Sequence, residues 1–345
     1  MINEYNFLHL FDQFISESYS GRRLQKNGKQ IRKGTIKMYE IVRNNLMQFS
    51  IHEQFPLRFR LITRMDKRKL SSEKTYWSKF YKKYTDFLYC KRNYDNYTGI
   101  QIKIIRTFFN YVNKDKGIVI GEFHKNFYAP KDNISIFVLT VEQLQFLIHN
   151  VEFEKSLGLY LQKSKDIFVF GCTVGLRVSD LMRLTKKNIE KRGNGIYLKV
   201  CTQKTMKEIR VKLPEYAINI LAKYKGRKFL LPVISKGRLN LNVKELCENA
   251  GWTNEVDKIR TVRGIPKKLN NEGKKYRFCD MVTTHTMRRT AITTLLTNGV
   301  PETMVRKISG HSANSAEFYK YVEYAQSFID IETDRAFSIL NSCKN

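Results

Sequence analysis

Four short stretches in the second half of the chain carry side chains suited to gripping an anion and moving a proton beside it. They are "GLRVSD" with Arg177, "TQKT" with Lys204, "THTMRRT" with His285, Arg288 and Arg289, and "SGHSANSAEFYKYVEY" with His311 and the phenols of Tyr319, Tyr321 and Tyr324. The third is physically odd. Residues 284–296 read as a helix with Met287, Ala291, Ile292, Leu295 and Leu296 on its buried stripe. Yet the first turn gathers cations where the macrodipole already favours anions. A negatively charged guest resolves the conflict, because the free N–H groups of a helix start add to the pull of the side chains. Guanidinium forks bind phosphate oxygens in pairs and stay charged at any working pH. Imidazoles exchange protons near neutrality. Taken singly each stretch is ordinary: an Arg after a Gly is usually a surface residue, and tyrosines at helical spacing are more often core.

These pieces need elements to hold them. The front of the chain predicts helices: Phe7, Leu10, Phe11 and Phe14 share one face, "TIKMYEIVRNNLMQF" follows, and further helices fit residues 72–90 and 97–113. Basic segments at 21–34 and 64–69 read as loops, placed to contact phosphates. Residues 128–138 lose the helical period around Pro130, so a boundary is expected there: a first domain over 1–130, a linker over 131–137 and a second domain over 138–345. Thr140 with Gln143 three residues on forms a capping-box pattern that opens the second domain. "KDIFVFGCTVG" reads as a buried helix ending near Gly175. Then the period changes: Ile196, Leu198 and Val200 alternate, as do Ile209, Val211 and Leu213, predicting a β-hairpin over 196–213 with "KTMK" at its tip. The remainder reads as helical, punctuated by Gly299 and Pro301.

Bulk properties set limits on the guest. The chain has 345 residues, and 62 Lys and Arg against 32 Asp and Glu give a net charge of +30, so a polyanion is the expected partner. With 22 Phe and 19 Tyr it can build cores and is not of the disordered class. No apolar run approaches the roughly 18 residues of a membrane helix, and Glu4 and Asp12 interrupt any signal peptide, so a cytoplasmic protein is expected. The six cysteines are scattered with no C-x-x-C pair, which reads as reduced thiols without zinc. There is no Walker A motif and no acidic cluster for Mg²⁺.

In order and spacing the four stretches resemble the tyrosine recombinases, the phage-integrase family of site-specific DNA strand exchangers. "GLRVSD" resembles the family's first arginine segment with Asp180 in the acidic place. Lys204 falls in the hairpin, "HTMRRT" resembles the H-x-x-R box with Arg289 where His is frequent, and "ISGH" resembles the Leu-Gly-His box with Ser309 for Leu. The likeness covers roughly residues 138–330. It implies a mainly α fold: a helical, SAM-like core-binding domain, then an α-rich catalytic domain with a small antiparallel sheet.

For the site, the resemblance implies a catalytic set of Arg177, Lys204, His285, Arg288, His311 and Tyr321, with no cofactor and no metal. Arg177 and Arg288 would clamp the scissile phosphate, Asp180 would orient Arg177, Lys204 would protonate the leaving oxygen, and a tyrosine would form a 3′-phosphotyrosyl bond. Phe318 and Val322 flank Tyr321 as in the family. However, one extra residue separates His311 from it, which keeps Tyr319 as the alternative. The expected partners are double-stranded DNA, a homotetramer spanning two sites and an accessory DNA-bending protein. The tail "SFIDIETDRAFSIL" would dock either on a neighbour or on its own domain, through Phe328, Ile331 and Phe337. A type IB-like topoisomerase, a non-catalytic DNA-binding regulator and a basic RNA-associated protein remain as alternatives at this level.

Overall fold

The computed structural model describes residues 4–63, 65–203 and 206–342; Lys204, Arg64 and Cys343 lie outside the described residues, as do the side chains of Phe328 and Ile331. The chain begins with β1 (Glu4–Asn6), α1 (Phe7–Ser20), α2 (Lys33–His52), β2 (Arg58–Arg60), α3 (Lys67–Cys90) and α4 (Asp95–Lys114). It continues with α5 (Val141–His149), α6 (Val151–Ser156), α7 (Leu159–Val174), α8 (Val178–Leu181), β3 (Ile189–Arg192), β4 (Gly195–Cys201), β5 (Glu208–Lys212), α9 (Glu215–Lys223) and α10 (Lys236–Asn249). After β6 (Glu255–Val256), β7 (Lys258–Val262), β8 (Ile265–Leu269) and β9 (Tyr276–Arg277) come α11 (Phe278–Met281), α12 (Thr284–Thr297), α13 (Glu302–Ser309) and α14 (Ala316–Ser342). The fold is mainly α with small antiparallel sheets. Among the described residues no helix is long and apolar enough to cross a membrane.

Two units form. One is Met1–Ile134 with Ile259–Lys268; the other is Ser135–Lys258 with Leu269–Asn345. The first unit packs four helices around an aromatic core in which Phe7 and Phe59 stack while Phe7–Phe108, Phe59–Phe109, Trp77–Phe80 and Trp77–Phe109 meet edge to face, the geometries that ring quadrupoles prefer. Helix starts follow sequence rules: Asn6 caps α1 through His9 N–H and Asp66 caps α3 through Lys69 N–H. The basic segments depart from the loop expectation. Residues 67–69 form the first turn of α3 and 33–34 that of α2. Arg23 lays its guanidinium 4.2 Å over Phe14 instead of holding it in solvent.

The largest departure is at residues 255–277, where helix was expected and β6–β9 and β7–β8 form two-stranded sheets. Arg263 and Gly264 both have positive φ, the two-residue turn that favours hairpins, and normally Asn-Gly supplies it. Here the buried Asp95 carboxylate accepts both their N–H groups at 2.8 and 2.9 Å, so a residue far away in sequence stabilises a turn that the local sequence does not announce.

In the second unit the expected hairpin is present, with Leu198 opposite Val211 and Val200 opposite Ile209; β3 adds a third strand. Thr140 and Gln143 close the capping box that opens α5. The unit's framework is α7 against α12. Gly171 makes their close approach achievable, because a Cβ there would lie 2.4 Å from Met287 Sδ. Four residues later Gly175 ends α7 in the left-handed conformation, φ +63°, which turns the chain sharply into Arg177.

Candidate active site

Arg288 is the centre of the arrangement. It lies one turn into α12, on the face packed against α7, and is 5% exposed. Its Nη1 donates to the carbonyl of Gly175 at 2.9 Å and its Nη2 to that of Ser309 at 2.7 Å, so one guanidinium ties the end of α7 to the end of α13. Burial, and next the positive charge of Arg177, pull its pKa down to about 10. Arg177 is half-buried, and among the described residues its buried Nη1 has no hydrogen-bond partner. A buried unpaired donor is costly, and two like charges held close are costly as well. An anion bound between the two arginines would relieve both. A cavity of about 380 Å³ lined by Arg177, Met182, Lys236, His285 and Arg288 adjoins them.

His311 follows the left-handed Gly310 that ends α13. Its tautomer can be read from its partners. Ser309 Oγ donates to the Val305 carbonyl at 2.6 Å, so that oxygen accepts from His311 Nδ1–H at 2.8 Å. Nε2 is then the bare nitrogen, and it accepts from Arg288 Nη2 at 3.1 Å. Burial, then Arg288 and Arg177, push the imidazole down to about 3, so it is neutral in the empty site rather than poised near neutrality. An arriving phosphate would offset the arginine charges and raise it. His285 stands in the first turn of α12, and partial desolvation of its ring, then the charges of Lys236, Arg289 and Arg288, lower its pKa. Its backbone N–H is capped by Thr283.

The three phenols separate clearly. Tyr321 is 6% exposed, its ring centroid lies 6.0 Å from that of His311, and it shares a helix face with the buried Phe318. Burial raises its pKa, with Arg289 and Arg288 acting the other way. Tyr319 is 51% exposed and lies under the guanidinium of Arg306, and Tyr324 sits at the unit's surface.

Asp180 does not do what the sequence suggested. Its Oδ1 accepts from Arg183 at 2.9 Å and from the backbone N–H of Gln203 at 3.0 Å, and no hydrogen bond to Arg177 forms among the described residues. The buried carboxylate therefore anchors the base of the β4–β5 tip. Lys204 itself lies outside the described residues. Sequence reading missed Ser309, whose hydroxyl sets the His311 tautomer. It also missed Arg306, which bonds the carbonyls of Ser312 and Ala313 and covers Phe318 at 3.9 Å, fixing the turn before α14. The Ser in place of Leu before Gly-His was the only available signal. A larger cavity, about 580 Å³, lies elsewhere in the unit, but Glu154, Lys165, Asp166 and Lys223 in its lining pair with one another.

Two guanidinium groups, two imidazoles and a buried phenol are thus carried on one helical scaffold. The chain belongs to the phage integrase family, whose sequence profile matches residues 138–327, more than half of its length. Comparison with curated protein sequences gives no match. Among solved structures, the fold is similar to a lambda integrase dimer bound to a COC′ core site, with a TM-score of 0.60 and 12% identity over 92% of this chain and 77% of that one. It is similar to the XerH recombinase bound to a palindromic difH substrate, with a TM-score of 0.58 and 14% identity over 97% and 96%. It is also similar to the Tn1549 transposon integrase in complex with a circular intermediate DNA, with a TM-score of 0.56 and 16% identity over 92% and 94%. At these identities the likeness is one of fold.

Proposed function

We propose that this chain is a site-specific recombinase in which the Tyr321 hydroxyl attacks a DNA phosphodiester held by Arg177 and Arg288. The phenol oxygen forms a bond to phosphorus as the bond to the 5′ oxygen breaks, leaving a 3′-phosphotyrosyl link; a 5′-hydroxyl from a partner duplex then reverses the step. His285 and His311 hydrogen-bond the phosphate oxygens or the phenol, and Lys204 protonates the departing 5′ oxygen. The observation that carries this reading is Nη1 of Arg177, without a hydrogen-bond partner among the described residues, beside the buried Arg288, with Tyr321 packed against His311. Because the bond energy is kept in the covalent link, the reaction needs neither ATP nor a metal.

In this reading residues 1–130 are a helical DNA-binding domain and 138–345 the catalytic one. The DNA-bound dimer and tetramer among the similar folds support a homotetramer on two duplexes; an accessory bending protein is a further partner proposed on the family resemblance alone.

A nicked suicide DNA tests the assignment. Wild type and Tyr319→Phe should become trapped covalently in EDTA, and Tyr321→Phe should not; trapping of Tyr321→Phe, or strict Mg²⁺ dependence, refutes it. Joining of two specific sites, as opposed to sequence-independent relaxation of supercoils, separates this activity from that of a topoisomerase.

A further inference from the structure

Arg306 joins the three pieces of chain that bring Tyr321 to the site. It stands in the last turn of α13, where the helix dipole favours a cation, and its side chain is only 12% exposed. Its Nη1 donates to the carbonyls of Ser312 and Ala313 at 3.2 and 3.0 Å, and its Nη2 to the Glu302 carboxylate at 3.3 Å. Its own carbonyl accepts the His311 N–H at 3.1 Å. The same guanidinium lies 3.9 Å from the ring centre of Phe318 and 5.0 Å from that of Tyr319, so it bears on two consecutive rings in the first turn of α14. A planar fork donates within its plane while its faces stack on rings, and an ammonium cannot do both.

The two rings are placed differently. Phe318 is fully buried, its centroid 5.3 Å from that of His311 and 6.3 Å from that of Tyr321, whereas Tyr319 stays half-exposed. One residue along a helix is a rotation of about 100°. Turning the start of α14 by that much would carry the Tyr319 ring towards the place that Phe318 now occupies, beside His311. A second phenol is therefore one residue out of register with the site.

We propose that Arg306 is a positioning residue that selects the attacking phenol: by gripping Phe318 and Tyr319 together with the turn at 312–313, it fixes the rotation of the first turn of α14 and keeps Tyr321, not Tyr319, in the site. This rests on the reading of Tyr321 as the nucleophile. Either phenol would react by the same exchange. Its oxygen bonds to phosphorus, the 5′ oxygen leaves with the electron pair of its broken bond, and the proton lost by the phenol is matched by the one the 5′ oxygen gains.

The test follows covalent trapping on nicked suicide DNA in a single turnover at saturating DNA, then locates the phosphotyrosyl residue by mass spectrometry of the digested adduct. Wild type should carry the DNA on Tyr321 alone. Arg306→Met, which keeps much of the stem and removes the fork, should trap at least about tenfold more slowly, since displacing a reacting group by about 1 Å forfeits that much or more. A measurable share of its adduct should sit on Tyr319. Lost stability alone would lower the amount of active protein and leave every adduct on Tyr321. Arg306→Lys, which keeps a cation beside both rings and disturbs folding less, should fall between wild type and Arg306→Met in rate and in the share on Tyr319. Trapping at the wild-type rate, or adduct confined to Tyr321 in both variants, overturns the proposal. Adduct on Tyr319 in the wild type overturns instead the reading of Tyr321 as nucleophile, so the two failures are distinguishable.

Discussion

Replacing Arg288 with methionine keeps much of the side chain's length and removes its charge and donors. In the structure one guanidinium satisfies the carbonyls of Gly175 and Ser309 and reaches His311 Nε2. Leaving two buried acceptors short of a partner costs about 1–3 kcal/mol each, and relief of the repulsion with Arg177 offsets part of it. Arg288→Met should therefore lose roughly 2–4 kcal/mol in denaturant unfolding. The rate should fall further than stability accounts for. A preorganised donor at a developing charge is worth about 3 kcal/mol of barrier, or on the order of a hundredfold in single-turnover cleavage under folded conditions. A third readout is local: with its nearest cation gone, the His311 imidazole should titrate well above about 3, moving toward its ordinary value in an NMR titration. Cleavage within about threefold of wild type, with His311 still neutral far into acid, would refute the reasoning that Arg288 both holds the phosphate and governs His311.

Two further predictions concern the first unit. Burial, and then Arg106, push the His124 imidazole to about 4, while its Nε2 bonds Asn110 Oδ1 at 3.0 Å. The unfolded chain takes up a proton there near 6.5, so stability is whole above that pH and declines as pH falls from 6.5 towards 4, by on the order of 3 kcal/mol; His124→Gln should flatten this slope in urea midpoints measured across the window, and an unchanged slope would assign the acid sensitivity elsewhere. Asp95→Ala should cost about 3 kcal/mol, since the carboxylate accepts Arg263 N–H, Gly264 N–H and the Tyr89 hydroxyl. Amide exchange at residues 263 and 264 should accelerate with it, and undiminished protection there would show that the turn holds itself.

Where the physics is local, the sequence already carries the answer. The Thr140–Gln143 box, the stripe of α12 and the alternation of β4 and β5 can each be read within a dozen residues, and so could the family to which the chain belongs, because its boxes are short and ordered. The turn at Arg263–Gly264 could not, since the carboxylate that stabilises it lies 168 residues away. The partners of Asp180 were misread for a related reason: spacing places an acid near Arg177, but it cannot reveal that a strand end arrives to take the carboxylate first. The tautomer of His311 follows from a serine hydroxyl already committed to a carbonyl, and its neutral state from burial beside Arg288 and Arg177, which only coordinates disclose.

The first unit is assembled from two separated runs of chain, because residues 259–268 complete what residues 1–134 begin. A ribosome must therefore deliver some 130 further residues after the front helices emerge before the buried carboxylate of Asp95 meets its amides. For the same reason a single proteolytic cut between 135 and 258 cannot liberate that half intact, and the piece that could stand alone is a non-covalent pair of fragments.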